Sequence, residues 1–131
     1  ELVLDYRWTG WDHLKTLGDT FGWENQNIVK AGVTWGVTEA LALRGGISHG
    51  NSPVPDEQTF ANALFPAIME THLAVGGSYA WEKWAVHIAY IHALKAEQTD
   101  PAGIPSMGGF GQGTEISMYQ NSLTAGVTYK F

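Results

Sequence analysis

Four basic or titratable side chains share one face of the strands that the sequence predicts: Lys30, Arg44, His72 and His87. Alternation sets each of them among small residues of that face, mostly Gly, Ala, Ser and Thr. A cation between largely apolar walls can bind the carboxylate of an amphiphile, because ligand sites typically combine few polar groups with much apolar surface. We therefore predict that these four residues bind ligand. The alternative is that they only solvate an interior or pair with acidic residues such as Asp5.

Other arrangements of reactive residues do not favour catalysis or metal binding. The predicted hairpin at residues 82–83 sets His87 opposite Ser78, six residues along the strand from His72. At about 3.4 Å per residue the two histidines are roughly 20 Å apart, which is too far for a shared ion. Ser48 and His49 are neighbours in a strand and face opposite sides of the sheet. Both lie in the run Gly46-Ile-Ser-His-Gly50, which has the Gly-x-Ser-x-Gly spacing but falls inside a predicted strand and not at the strand-to-helix turn of a nucleophile elbow. The sequence therefore predicts no enzyme, no metal site and no cofactor.

Six segments of alternating residues must position these side chains. They lie near residues 1–9, 25–37, 41–50, 70–81, 84–96 and 116–131. In each segment one face is apolar and aromatic, and the other carries small residues with scattered charges. Because alternation with period two is typical of antiparallel strands, the predicted fold class is all-β.

The connections between these strands alternate between very short and long. Residues 38–40 and 82–83 predict tight hairpins that set apolar residues opposite apolar residues, for example Trp35 opposite Leu43. The long connections cover about 10–23, 50–69 and 97–115 and contain all the prolines. Residues 60–69 are apolar for a loop, so we expect either a short helix or lip that meets hydrophobic ligands or a segment packed over the sheet's end.

The composition indicates which class of protein contains this sheet. The chain has 131 residues and a net charge of −6, which argues against a nucleic-acid partner, and it has no cysteine. Charged residues make up 15% of the chain, against about 25% in soluble domains. Aromatic residues of the apolar face cluster beside the short turns, as in outer-membrane barrels with short periplasmic turns and long external loops. The sequence therefore predicts an antiparallel transmembrane β-barrel, and a soluble β-barrel is the alternative.

Three stretches resemble segments of known outer-membrane proteins, and two of these stretches are similar to one family. The run Asn121-Ser-Leu-Thr-Ala-Gly-Val-Thr-Tyr-Lys-Phe131 resembles the terminal strand that bacterial outer-membrane barrels present to their assembly machinery. Lys30-Ala-Gly-Val-Thr-Trp and then Leu43-Arg-Gly-Gly-Ile-Ser-His-Gly-Asn-Ser-Pro-Val-Pro-Asp-Glu57 are similar to the C-terminal region of the FadL/TodX family. The most specific piece is Asn51-Ser-Pro-Val-Pro-Asp56, which opens a long loop.

This resemblance implies passive uptake of long-chain fatty acids or other hydrophobic compounds, such as aromatic hydrocarbons, across the bacterial outer membrane. It also implies two partners, outer-membrane lipid and, through the strand that ends at Phe131, the assembly machinery. Members of the family resemble 14-stranded barrels with an N-terminal hatch, and bacterial barrels begin at eight strands. We therefore expect the C-terminal part of a larger barrel or a truncated relative, seen as an open, curved sheet with residues 2–9 and 123–131 at its edges. A structural or adhesive outer-membrane barrel without cargo is the alternative function.

Overall fold

A computed structural model describes all 131 residues as one six-stranded antiparallel sheet. Its strands are β1 (Leu2–Thr9), β2 (Gln26–Gly36), β3 (Leu41–Gly50), β4 (Thr71–Trp81), β5 (Trp84–Thr99) and β6 (Glu115–Tyr129). Each strand pairs with its neighbours in the chain, and β1 and β6 each pair on one side only. The all-β class, the antiparallel order and the two predicted edges of an open sheet are therefore confirmed.

The registers of the two tight hairpins agree with the sequence prediction. Trp35 lies opposite Leu43 in the first hairpin, and Trp81 lies opposite Trp84 in the second. A shift by one residue would turn each apolar side chain to the opposite face, so the apolar pattern selects the register. In the first turn, the hydroxyl of Thr38 also accepts a hydrogen bond of 2.9 Å from the backbone N–H of Leu41.

The last two strands are longer at the loop end than the sequence predicts. We expected β5 to end near residue 96 and a loop over 97–115, but β5 continues to Thr99 and β6 begins at Glu115. A bulge between Ala93 and Ala96 sets two residues of β5 opposite one of β6. Because the bulge takes up the extra residue, pairing resumes beyond the point where the alternation breaks.

The long connections pack against one another at one end of the sheet. We call residues 10–25, 51–70 and 100–114 together the loop cap. Its short helical turns are a π-helical turn at Lys15–Thr20 and 3-10 turns at Asp56–Gln58 and Pro105–Met107. None of these helical turns has the length and hydropathy of a membrane-spanning helix. Only 10 of the 131 residues are buried, and all of them lie in the loop cap or in the strand segments next to it.

Residues 60–65 form turns and a bend and residues 66–69 are irregular, so the segment is not the short helix that was one of our expectations. Asn62 and Ile68 are buried within the loop cap, which agrees with the expectation of a packed segment. Leu64 and Phe65, however, are 85% and 61% exposed. The segment therefore has a buried part that closes the cap and an apolar tip that projects from it.

A buried carboxylate joins two of the loops. Asp100 is 1% exposed and accepts hydrogen bonds from the backbone N–H groups of Phe60 at 3.0 Å, Ala102 at 3.0 Å and Gly103 at 2.6 Å. Burial by itself would raise the pKa of Asp100, but the three N–H donors favour the ionised form and leave the pKa below its ordinary value. Asp100 thus connects loop 100–114 to loop 51–70 as an anion.

A buried amide joins the remaining loop. Asn62 accepts a hydrogen bond of 2.6 Å from the indole nitrogen of Trp23 and donates one of 2.9 Å to the backbone oxygen of Phe21. Both partners belong to loop 10–25, so this side chain ties it to loop 51–70. Buried polar groups rather than a large apolar core therefore specify how the three loops fit together.

Residues 51–56, the most specific part of the family resemblance, also brace the structure. The side chain of Asn51 accepts a hydrogen bond of 2.8 Å from the backbone of Asn27 and donates one of 3.0 Å to that of Asn25. Val54 is buried, and its backbone oxygen accepts a hydrogen bond of 2.7 Å from the side chain of Gln98. The segment therefore connects the entry of β2, the exit of β3 and the end of β5.

Candidate functional site

The two faces of the sheet carry different chemistry, in register across all six strands. One row of directly opposed residues on the first face, which we call the apolar face, is Leu2, Val33, Gly45, Val75, Tyr90 and Leu123. The neighbouring row on the second face, which we call the small-residue face, is Val3, Gly32, Gly46, Ala74, Ile91 and Ser122. All four predicted site residues lie on the small-residue face.

A cavity of about 450 Å³ lies against the small-residue face. Residues of every strand border it, from Val3 in β1 to Thr124 in β6. Six strands about 4.8 Å apart would span roughly 24 Å if the sheet were flat. Because one cavity reaches both edge strands, the sheet curls toward the small-residue face, as we expected for a curved sheet.

Arg44 and His87 belong to one polar cluster at the side of this cavity nearer the short turns. Arg44 donates a hydrogen bond from Nη1 to the hydroxyl oxygen of Ser78. Nδ1 of His87 lies 2.9 Å from that oxygen, and Nε2 lies 3.1 Å from the hydroxyl oxygen of Thr128. We call these four residues the Arg44 cluster. The chain of hydrogen bonds orients both Arg44 and His87 without any acidic partner.

Lys30 and His72 border a second cavity, of about 480 Å³, that lies nearer the loop cap. Nζ of Lys30 lies 3.5 Å from Oδ2 of Asp5, with both side chains well exposed. Such an exposed pair adds little stability, but Asp5 offsets the positive charge of Lys30. The structure thus shows Lys30 beside Asp5, the acidic residue named in the alternative interpretation. The ring of His72 forms no hydrogen bond.

The two cavities share a floor of small and apolar residues: Val3, Gly32, Gly46, Ala74 and Ile91. Lys30 lies opposite Ser48 and Arg44 opposite Thr34, so the two cations are roughly 13 Å apart along the strands. The surface thus has a charged patch at the turn side, an apolar floor, and a neutralised ion pair at the loop side. Such a surface can hold an elongated apolar molecule with one polar end.

Aromatic side chains form two groups on the apolar face. At the turn end, the rings of Trp84 and Tyr129 are 4.7 Å apart, and those of Tyr129 and Phe131 are 5.2 Å apart. At the loop end a second group is exposed, consisting of Tyr6, Trp8 and Tyr119. The first group was predicted from the sequence, and the second was not. The sequence feature that indicates the second group is Tyr119, which lies ten residues before Tyr129 on the same face of β6.

The structure therefore places all four predicted residues on one face but brings them together only in pairs. Sequence reasoning missed Ser78 and Thr128 as their partners, although the predicted hairpin register already set Ser78 opposite His87. No group of three His, Cys, Asp or Glu side chains lies close enough to hold a metal ion. No protein family, curated protein or solved structure matches the chain.

Proposed function

We propose that the chain forms part of a transmembrane β-barrel in the bacterial outer membrane, and that this barrel takes up long-chain fatty acids or other hydrophobic compounds passively. The observation that carries the proposal is the apolar face, which runs in register across all six strands. Leu2 and Leu123 in its two edge strands are 74% and 75% exposed. In water this face would be an unusually large apolar patch, whereas in a bilayer it would be the lipid-facing wall.

The spacing of the two aromatic groups supports a bilayer as the surroundings of the apolar face. Tyr119 and Tyr129 are ten residues apart in β6, roughly 34 Å along the strand. With the tilt of about 35–45° found in outer-membrane barrels, that length spans roughly 24–28 Å along the membrane normal. Aromatic girdles in such barrels flank an apolar band about 25 Å tall. The two groups therefore fit the two interfaces.

The open edges of the sheet support a larger barrel. β1 and β6 each leave one side without a partner strand. Lipid offers no hydrogen bonds to unpaired backbone groups, so strands that span a bilayer must close into a barrel. The proposal therefore includes further strands that pair with β1 and β6, as in the FadL/TodX barrels that the sequence resembles, and delivery of the C-terminal strand to the assembly machinery.

The small-residue face supplies the path for cargo in this proposal. Gly32, Gly46 and Ala74 in its floor leave room for a hydrocarbon chain, and Val3 and Ile91 of the same floor offer that chain apolar side chains. Leu64 and Phe65 on the loop cap offer an apolar surface for first contact with cargo. Capture and passage of this kind require neither covalent chemistry nor an energy source in this chain.

An uptake assay with a matched pair of variants tests the proposal. Cells that lack the protein and cells that carry the intact gene product are compared for accumulation of a labelled C16 fatty acid. Ala74 borders both cavities, and its neighbour Val75 faces the other side of the sheet. We expect Ala74→Phe to reduce uptake several-fold and Val75→Phe to leave it unchanged.

Two outcomes would contradict the transport proposal. In one, the intact protein gives no more uptake than its absence, although it reaches the membrane. In the other, the Ala74 and Val75 variants behave alike. Either result would favour the alternative function, a structural or adhesive outer-membrane barrel without cargo.

A further inference from the structure

Among the four candidate residues, only Arg44 carries a permanent charge that no acidic side chain offsets. Lys30 pairs with Asp5, and a histidine is not permanently charged near neutral pH. Two other cations at positions of the small-residue face, Arg7 and Lys130, lie near its two ends and border neither of the two cavities. Arg44 therefore dominates the electrostatics of the 450 Å³ cavity.

We propose that Arg44 determines the specificity of this surface for anionic cargo: its guanidinium binds the carboxylate of a long-chain fatty acid, and the alkyl chain lies on the apolar floor with its end toward the loop cap. This inference rests on the proposed function, since it concerns the cargo of the same surface. It adds the residue that selects for the charge and the direction in which the ligand lies.

The hydrogen bonds of the Arg44 cluster support this role. A guanidinium has five N–H donors in a planar fork, and only one bond, to Ser78, is formed here. The remaining donors can bind a carboxylate through two parallel hydrogen bonds. One ring nitrogen of His87 is hydrogen-bonded to the hydroxyl of Ser78 and the other to the hydroxyl of Thr128. Because Ser78 in turn accepts the bond from Arg44, His87 is a positioning residue for the guanidinium.

The surroundings of Arg44 support the orientation of the ligand. In the next row toward the loop cap, Val3 and Ile91 are the apolar side chains that border both cavities. An alkyl chain that leaves Arg44 in this direction contacts apolar groups. The Lys30–Asp5 pair at the far side has no net charge and therefore does not compete for the carboxylate.

The test compares two ligands with the same alkyl chain, of which one carries a carboxylate and the other an uncharged methyl ester. Binding of radiolabelled palmitate and of methyl palmitate is measured with the purified intact protein in lipid vesicles, with protein-free vesicles as the blank. Arg44→Gln should weaken binding of palmitate about tenfold, the size expected for loss of a charge-assisted hydrogen-bonded pair. Its affinity for methyl palmitate should stay within about twofold of the unchanged protein.

Three further variants sharpen this comparison. Arg44→Lys keeps the charge but not the planar fork, so its affinity for palmitate should be intermediate. This milder variant also decides the question if Arg44→Gln does not fold. Arg7→Gln removes another cation at a position of the same face, outside both cavities, and should leave both affinities unchanged. Lys30→Gln tests whether Lys30, and not Arg44, binds the carboxylate.

The outcomes separate this inference from the proposed function. If both Arg44 variants weaken binding of palmitate and of methyl palmitate equally, or weaken neither, then Arg44 does not select for charge. The inference is then wrong, while the transport proposal stands. The same holds if Lys30→Gln alone abolishes the preference for palmitate. If the unchanged protein binds neither probe, the proposed function fails as well.

Discussion

Replacing Asp100 by asparagine tests how the loop cap is held together. The carboxylate accepts three backbone hydrogen bonds, with Oδ2 facing Phe60 and Oδ1 facing Ala102 and Gly103. Asparagine has one acceptor oxygen, so its best orientation keeps the two bonds to Ala102 and Gly103. Its NH₂ group then faces the N–H of Phe60, and a buried donor is left without an acceptor.

The expected cost follows from that one lost bond. A hydrogen bond to a charged group contributes about 1.5–3 kcal/mol, and an unsatisfied buried donor costs about 1–3 kcal/mol. We therefore expect Asp100→Asn to lower the free energy of opening of the loop cap by about 2–3 kcal/mol. At 1.4 kcal/mol per factor of ten, the population of the open cap rises about 30- to 140-fold.

Native-state hydrogen exchange measures this change directly. Peptides that cover residues 56–65 and 100–114 should exchange faster in Asp100→Asn by that factor, while peptides from the β2–β3 hairpin should not change. Asp56→Asn is the control, because the side chain of Asp56 is exposed and forms no hydrogen bond. Unchanged protection in the loop cap of Asp100→Asn would refute the role given to the carboxylate.

The stability of the loop cap should decrease as the pH falls into the acid range. The pKa of Asp100 is lower in the folded protein than its ordinary value of 3.8, because the three N–H donors outweigh the effect of burial. The ionised Asp100 therefore contributes its full stabilisation of the cap at any pH above the pKa of this carboxyl in the unfolded protein. The contribution is lost as the pH falls through the lower pKa of the folded protein. Protection of the cap should decrease in acid in the unchanged protein and much less in Asp100→Asn.

Two further pairs of variants test the loop cap and the apolar face. A Cβ at Gly111 would lie 2.3 Å from Cγ of Phe60, whereas one at Gly113 would contact nothing, and both glycines have positive φ. Gly113→Ala should therefore cost about 1–2 kcal/mol for its backbone alone, and Gly111→Ala clearly more, as measured by exchange of the cap; equal costs would contradict the close contact. In lipid vesicles, Val75→Lys should lower the free energy of unfolding by about 2–4 kcal/mol and Ala74→Lys by much less, as measured by urea unfolding; a reversed order would contradict the assignment of the faces.

The hairpins and the two faces could be predicted from the sequence because both depend on local alternation. Trp35 opposite Leu43 and Trp81 opposite Trp84 follow once each tight turn is placed, since the register must keep the apolar residues on one face. The same reasoning set Ser78 opposite His87, the central contact of the Arg44 cluster. It did not indicate the bond from Arg44 to Ser78, which runs diagonally between β3 and β4.

The loop cap and the end of β5 could not be predicted in this way. Asp100 and Phe60 are 40 residues apart, and their contact depends on how three loops pack, which alternation does not describe. The bulge between Ala93 and Ala96 interrupts the alternation, so the pattern ended β5 too early. Similarly, residues 60–69 are apolar because part of the segment is buried in the cap, and not because they form a helix.

The central claim is that lipid covers the apolar face and water reaches the small-residue face. Because the chain has no cysteine, single cysteines can be introduced at Leu73, Ala74, Val75 and Gly76 of β4 and spin-labelled in the protein reconstituted in lipid vesicles. Oxygen concentrates in the bilayer and a nickel chelate stays in water, so their collision rates report the surroundings of each label. We expect labels at 73 and 75 to collide with oxygen and labels at 74 and 76 with the nickel chelate. Equal access of the nickel chelate to all four positions would contradict the claim.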